Sequence, residues 1–222
     1  MGAPGFLAVF SDPGNKSTLE EFQDWYDNEH VPLRLDHLPY FLTGARYSAI
    51  DDKLPGWLAM YEIEEVESFQ DPSYAVLRET RSEREKDLIA RLGVLDRRTA
   101  EVVVDTGDQL EKSTGLKVGN PSRFVLTVGI ALGGGSSESL ERFAEDTRRV
   151  GGWVRTRVLK VFDKGVTGTN EEWTSIEVPD YLAVIELTSK FPEDTIVTEA
   201  PLALHDLRQW SLYKAFPALS QA

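Results

Sequence analysis

The sequence predicts an α+β protein made of two tandem ferredoxin-like (βαββαβ) repeats, whose sheets pack together into one barrel. In the first half, apolar runs and amphipathic stretches follow the order strand–helix–strand–strand–helix–strand, which is the split βαβ arrangement. The order recurs in the second half, where Tyr181–Leu187 lines up with Trp57–Ile63 at a constant offset of 124 residues and shares Leu, Ala and Glu with it. Arg157 in the second half also aligns with Arg46, at a slightly different offset. An internal duplication explains these matches.

The first repeat is predicted over residues 1–107. It opens with a buried strand at 6–10, and the capping-box spacing of Thr18 and Glu21 starts a helix. Pro32 disfavours helical angles in the residue before it, so this helix is expected to end near His30. The remaining elements are strands at 41–50, 57–63 and 99–104 and one long charged helix over 71–92.

A linker is predicted over residues 108–121, where Gly, Ser, Thr and charged residues dominate. The second, degenerate repeat is predicted over 122–222, with an insertion at 165–179 that lengthens its central hairpin. Its predicted elements are strands at 124–132, 153–162, 181–188 and 210–216, a helix at 138–150 and a helical stretch before His205.

The composition limits the classes of function. The chain is 41% hydrophobic and 27% charged, as in ordinary globular proteins. A net charge of −13 argues against nucleic acid or an anionic membrane as partner, because phosphate binding needs clustered cations. The absence of cysteine excludes disulfides, thiolate catalysis and cysteine-based metal sites. With neither a signal peptide nor a membrane-length apolar run, a cytoplasmic protein is expected.

The predicted first helix carries the residues best suited to catalysis. Phe22, Tyr26 and His30 recur at every fourth position and share one helix face, beside Trp25. A histidine at a helix C-terminus has its protonated form favoured by the helix dipole, by about 0.3–1 kcal/mol. An imidazole that titrates near neutrality suits general acid–base catalysis. The structural alternative is a histidine that caps the last carbonyls of the helix.

The segment from Phe22 to Pro32, together with Arg46 and Tyr47, resembles the EthD-type branch of the dimeric α/β-barrel superfamily. Its members have an aromatic first helix that ends in His-x-Pro and then a strand with an Arg-Tyr pair. The resemblance covers about residues 5–106 and persists over 122–217 only as a fold pattern. It implies a dimeric-type α/β barrel formed within one chain. Relatives include cofactor-free cyclases, decarboxylases and monooxygenases that act on polyketides and other aromatics, alongside haem-handling proteins.

We expect a cofactor-independent lyase or cyclase that carries out cyclisation, dehydration or decarboxylation of a small aromatic or polyketide-like carbonyl compound. His30 is the expected general acid or base, and the second repeat has no counterpart of it. Arg46 and Tyr47 alternate along a strand, so only one of them can face the barrel interior. Tyr47 would donate to a carbonyl or enolate, and Arg46 would clamp a carboxylate. The expected pocket walls are Phe22, Trp25, Tyr26, Trp57 and Tyr61.

Two other functions stay open at this point. One is an oxidoreductase, either a cofactor-free monooxygenase or a haem enzyme with His30 as axial ligand. The other is a barrel that binds a small molecule without catalysis. His37 is a candidate second proton-transfer group or lid residue, with an exposed loop as the alternative. His205 beside Asp206 has the composition of a dyad, but adjacent side chains diverge. No metal site is expected, because the histidines lie in unrelated segments. Association into a homodimer is left open.

Overall fold

The computed structural model describes residues 2–107, 111–192 and 196–219. In chain order the elements are β1 (Gly5–Asp12), α1 (Leu19–Trp25), a π-helical segment (Tyr26–His30), α2 (Pro32–Leu35), β2 (Gly44–Ala49), β3 (Trp57–Ile63), a 3₁₀ turn (Val66–Gln70), α3 (Pro72–Glu79), α4 (Glu83–Arg91), β4 (Val94–Asp105), β5 (Phe124–Ala131), α5 (Ser137–Asp146), a 3₁₀ turn (Thr147–Arg149), β6 (Trp153–Thr167), α6 (Glu171–Thr174), β7 (Tyr181–Leu187) and β8 (Ala203–Phe216).

The strands form a closed barrel in the order β1-β3-β2-β8-β5-β7-β6-β4, and every neighbouring pair is antiparallel. The first four strands lie side by side as β4-β1-β3-β2, and the last four as β8-β5-β7-β6. The β2–β8 and β4–β6 pairs join these two groups and close the barrel, which leaves no free sheet edge. The predicted α+β barrel class is confirmed.

Side chains alternate between the barrel lumen and its outer face, as strand geometry requires. In β1, Phe6 and Phe10 contribute to a lumen core that also contains Tyr47. Leu7 and Val9 face outward and pack beneath the helices of the first half. A third apolar cluster lies under α5 on the outer face of the second half. The helix-covered outer face and the lumen are therefore separate environments, divided by the sheet.

The π-helical segment ends at His30, at the predicted boundary, but the predicted cause, non-helical angles at Val31, is wrong. Val31 keeps helical angles (φ −72°, ψ −48°), and its N–H donates to the carbonyl of Tyr26 at 3.1 Å, a π-type bond. Pro32 then begins α2, at a first helical position where the missing N–H costs nothing. A π turn widens the helix, which gives the proline ring room beside the preceding turn. The chain consequently stays helical through Leu35.

Two further helix predictions need correction. The single helix expected over 71–92 is two helices, α3 and α4, and the Ser82 side chain caps α4 by accepting from the Glu85 N–H at 3.0 Å. The helical stretch expected before His205 is not found in residues 189–192 and 196–202, and residues 193–195 lie outside the described part of the chain. His205 itself lies in β8, which is longer than predicted.

Within the described ranges, no helix combines the length and the apolar character needed to cross a membrane.

Candidate functional site

A buried polar cluster lies between the helices of the first half and the outer face of β3. We call it the His30 cluster and define it as His30, Arg34, Tyr61, Arg81 and Glu85. The exposed fraction is 8% for His30, 7% for Arg34, 1% for Tyr61 and 2% for Glu85. Helix α4 supplies Glu85, and the π-helical segment and α2 supply His30 and Arg34. Ionisable groups are seldom buried without a role, so this cluster is the leading candidate site.

His30 and Glu85 form the central hydrogen bond of the cluster. The His30 Nδ1 lies 2.6 Å from the Glu85 Oε1. The imidazole ring packs against Trp25 and Tyr26, with ring centroids 4.4 Å and 5.2 Å apart. Among the described residues, the second ring nitrogen, Nε2, has no hydrogen-bond partner. A neutral imidazole that donates from Nδ1 to a carboxylate leaves a lone pair on Nε2, which is the arrangement of a general base.

The electrostatic state of His30 differs from the state predicted by its place near a helix end. Burial, together with the nearby charge of Arg34, lowers the pKa of His30 to about 3, although the hydrogen bond to Glu85 acts in the opposite direction. Loss of solvation outweighs the helix dipole, which is worth at most about 1 kcal/mol at an exposed site. The expectation of a favoured imidazolium is therefore wrong. His30 is neutral at physiological pH.

A neutral buried histidine makes stability depend on pH in a defined window. Between pH 6.5 and pH about 3, the unfolded chain binds a proton at His30 that the folded protein does not bind. The contribution of the neutral His30 to the free energy of unfolding is therefore fully present above pH 6.5. Below that pH it falls by up to about 1.4 kcal/mol per pH unit. In His30→Gln this slope is expected to disappear between pH 6.5 and about pH 5, above the range where ordinary carboxyl groups titrate. Urea unfolding across that window measures it, and an equal slope in both proteins would contradict the assignment.

Arg46 and Tyr47 lie on opposite sides of the sheet. The Arg46 Nη1 donates to the Asp27 Oδ1 at 2.8 Å, and its guanidinium lies 4.1 Å from the ring centroid of Tyr26. Tyr47 faces the lumen, and its hydroxyl donates to the backbone carbonyl of Ser122 at 3.0 Å. The prediction that only one of the pair faces the interior is thus confirmed. Because the sheet separates Tyr47 from the helix side, Tyr47 and His30 do not form one site.

The residues expected to form the pocket walls do pack together, as part of a buried core. Phe22, Trp25, Tyr26 and Tyr61 are buried in one apolar cluster, and the partly buried Trp57 packs against it. The Tyr61 hydroxyl and the Trp25 Nε1 are buried without a hydrogen-bond partner. Buried polar atoms without a partner are uncommon in folded proteins, so each needs an explanation.

His37 is exposed just after α2 and is not part of the His30 cluster. Sequence reasoning missed Arg34, Arg81 and Glu85. A signal for Arg34 was present, because it stands four residues after His30 on a helix and so shares its face. Nothing local links His30 to Glu85.

No family model and no curated protein matches the sequence. Solved structures nevertheless share its architecture. One is an anthrone oxidase-like protein, with 14% sequence identity and a TM-score of 0.60 over 100% of this chain and 96% of that one. Another is a candidate monooxygenase from Lactobacillus acidophilus NCFM, with 8% identity and a TM-score of 0.50 over 97% and 96% of the two chains. The chain has the dimeric α/β-barrel fold. At such identities the likeness establishes the fold and nothing further.

The α/β barrel also contains cavities at its two ends. One of about 400 Å³ lies where β1 and β5 finish, and its lining includes Phe10, Gly129 and the exposed pair His205 and Asp206. Another of about 380 Å³ lies where β1 begins, and its lining includes Arg157. His30 lines neither of these cavities, since it sits on the outer side of the sheet.

Haem needs a planar slot beside its axial ligand, and the surroundings of His30 do not provide one. Trp25 and Tyr26 pack against the imidazole, which is only 8% exposed. The residues around His30 therefore do not fit a haem. The described residues 2–107, 111–192 and 196–219 also contain no group of three or more His, Cys, Asp or Glu side chains placed to hold a metal ion.

Proposed function

We propose that this α/β barrel is an enzyme in which His30 removes a proton from a small aromatic substrate, which molecular oxygen then oxidises without a bound cofactor. The observation that carries the proposal is the geometry of His30, which is bonded through Nδ1 to Glu85 and has no hydrogen-bond partner for Nε2 among the described residues. Trp25 and Tyr26 pack against the imidazole and hold the ring in one orientation.

Glu85 supports the base in this proposal. Its burial opposes ionisation, but the hydrogen bond from His30 and the positive charges of Arg34 and Arg81 hold the pKa of Glu85 below its usual value. Glu85 therefore stays negative at neutral pH. When Nε2 takes a proton from the substrate, the carboxylate stabilises the imidazolium that forms and keeps the ring in one orientation.

The oxidation step follows from the chemistry of an electron-rich carbanion. Removal of a benzylic C–H proton that is conjugated with an aromatic carbonyl leaves an enolate, which transfers electrons to O₂ and forms a C–O bond. Loss of water from the resulting hydroperoxide leaves a carbonyl, so one oxygen atom enters the product and the other becomes water. The names of the solved structures that share the fold, an anthrone oxidase-like protein and a candidate monooxygenase, favour this outcome over the lyase or cyclase reaction.

We also infer that the barrel arose by duplication of a ferredoxin-like unit, with repeats at 1–107 and 122–222, and that the first belongs to the EthD-type branch. The equal strand orders of the two halves support the duplication. So does the register, since Arg46 pairs with Ala59 and Val158 pairs with Ala183, the equivalent alanine in the matched run. Val158 therefore corresponds to Arg46, and the alignment of Arg46 with Arg157 is wrong by one residue.

Anthrone is the first substrate to test. Wild-type protein is expected to consume one O₂ for each anthraquinone formed, well above the rate of spontaneous oxidation, and to show no Soret band. An oxygen electrode and the absorbance of the quinone measure the two quantities. An aromatic β-keto acid assayed without oxygen provides the second arm. Decarboxylation of the β-keto acid in that assay, together with no oxygen uptake when anthrone or a phenol is supplied in the first assay, would replace the oxidase proposal with the lyase one.

A further inference from the structure

We propose that Arg34 and Tyr61 form an anion-binding site within the His30 cluster, so that the substrate of His30 carries a carboxylate or a phenolate. The inference rests on the proposed function and goes beyond it, because it names the charge and the chemical class of the substrate. It also assigns the anchoring role to residues other than the pair expected from the sequence.

Arg34 is the buried arginine that lacks a direct ion pair in the described structure. It is 7% exposed, and its Nη1 donates to the backbone carbonyl of His30 at 2.6 Å. No described carboxylate forms a salt bridge with it. Each of the other three buried arginines has such a partner: Arg46 pairs with Asp27, Arg157 with Glu62 and Glu186, and Arg208 with Asp51. Because a buried, unpaired charge is costly, a free guanidinium at this position indicates a missing negative partner.

The charges around Arg34 do not balance. Glu85 is the carboxylate of the His30 cluster, and it is shared by Arg34, Arg81 and the hydrogen bond from His30. Its closest approach to a guanidinium is 3.9 Å, to Arg81. With His30 neutral, two guanidinium groups face one carboxylate. The described cluster therefore has one excess positive charge, which an anionic ligand would neutralise.

Two unpaired donors reinforce this conclusion. The Tyr61 hydroxyl is buried and has no hydrogen-bond partner, and the charge of Arg34 acts on it. The Arg81 Nε is likewise buried and makes no hydrogen bond in the described structure, since its ion-pair partner Glu85 lies 3.9 Å away. A carboxylate or phenolate oxygen accepts several hydrogen bonds, so one such group can satisfy the donors of Arg34 and Tyr61 together.

The residues expected to bind the anion are already engaged elsewhere. Arg46 is held by Asp27 and by the aromatic rings around it, while Tyr47 lies in the lumen and donates to Ser122. Arg34 is linked directly to the main chain of His30. An anion bound by Arg34 would consequently lie next to the catalytic imidazole, and the planar guanidinium would orient it by two parallel hydrogen bonds.

The test compares salicylate with salicylamide, which differ in the presence of a carboxylate. Isothermal titration calorimetry at neutral pH measures the affinity of each for the wild-type protein, Arg34→Met, Tyr61→Phe and the control Arg97→Met, which removes a partly buried arginine on β4, outside the His30 cluster. Wild type and the control are expected to prefer salicylate by about 10–100-fold, the effect of a charge-assisted hydrogen bond pair. Arg34→Met is expected to lose this preference while keeping its affinity for salicylamide, and Tyr61→Phe to lose part of it.

The melting temperature separates an anion site from a structural arginine. Arg34→Met removes an unpaired buried charge but also the hydrogen bond to the His30 carbonyl, so its Tm is expected to change little. The proposal is overturned by a wild type that binds neither probe or both equally, by a preference that survives in Arg34→Met, or by a marked fall in Tm. Charge-selective binding without any turnover would instead refute the proposed function and leave the anion site standing. Turnover without charge-selective binding would refute the anion site and leave the proposed function standing.

Discussion

His30→Gln is expected to reduce the turnover number about 10²–10⁴-fold, the usual contribution of a general base, while the fold persists. The glutamine amide can still donate to Glu85, so the buried carboxylate is not left unpaired. It cannot accept a proton, however, so the loss should appear in kcat rather than in substrate affinity. Oxygen uptake with anthrone measures the rate, and far-ultraviolet circular dichroism checks the fold.

His37→Gln is the matched control, because it makes the same substitution at an exposed histidine outside the His30 cluster. Its turnover number should equal that of the wild type. If His30→Gln keeps its activity with an intact fold, His30 is not the base. Equal losses in both variants would show that the assay follows something other than the chemistry at His30.

Arg157→Met is expected to lower the free energy of unfolding by about 3–5 kcal/mol, which is the cost of breaking a buried ion pair from one side. The Arg157 Nη2 donates to the Glu186 Oε1 at 2.5 Å, and Glu186 is fully buried. In the variant this carboxylate keeps a hydrogen bond from Ser122 but loses its only salt bridge in the described structure. Urea unfolding followed by tryptophan fluorescence measures the change.

Two companion variants interpret that result. Arg97→Met removes the partly buried member of a pair with the exposed Asp163 and should change stability by no more than about 1 kcal/mol. The double variant Arg157→Met with Glu186→Gln should recover part of the loss, because the unpaired buried charge is gone. A loss in Arg157→Met no larger than that in Arg97→Met would show that water reaches Glu186 in solution.

The local patterns of the sequence were reliable where neighbouring residues decide the structure. The apolar run at Trp57–Ile63 forms a strand with the predicted bounds, and Phe22, Tyr26 and His30 face one environment because helical spacing places them there. Local rules failed at Pro32, where a π turn keeps the chain helical. They also failed at the match of Arg46 with Arg157, because a shift of one residue along a strand exchanges its two faces.

By itself, the sequence determined the α+β class, the order of the strands and the aromatic helix face that carries His30. These properties depend on periodicity and turn residues, which act over a few positions of the chain. The state of His30 was decided only by tertiary structure, since desolvation and the distant residue Glu85 determine whether it carries a proton. Within the described part of the chain, the tertiary structure likewise left Arg34 without a direct ion pair while giving Arg46 a carboxylate, because charge pairing depends on which side chains meet after folding.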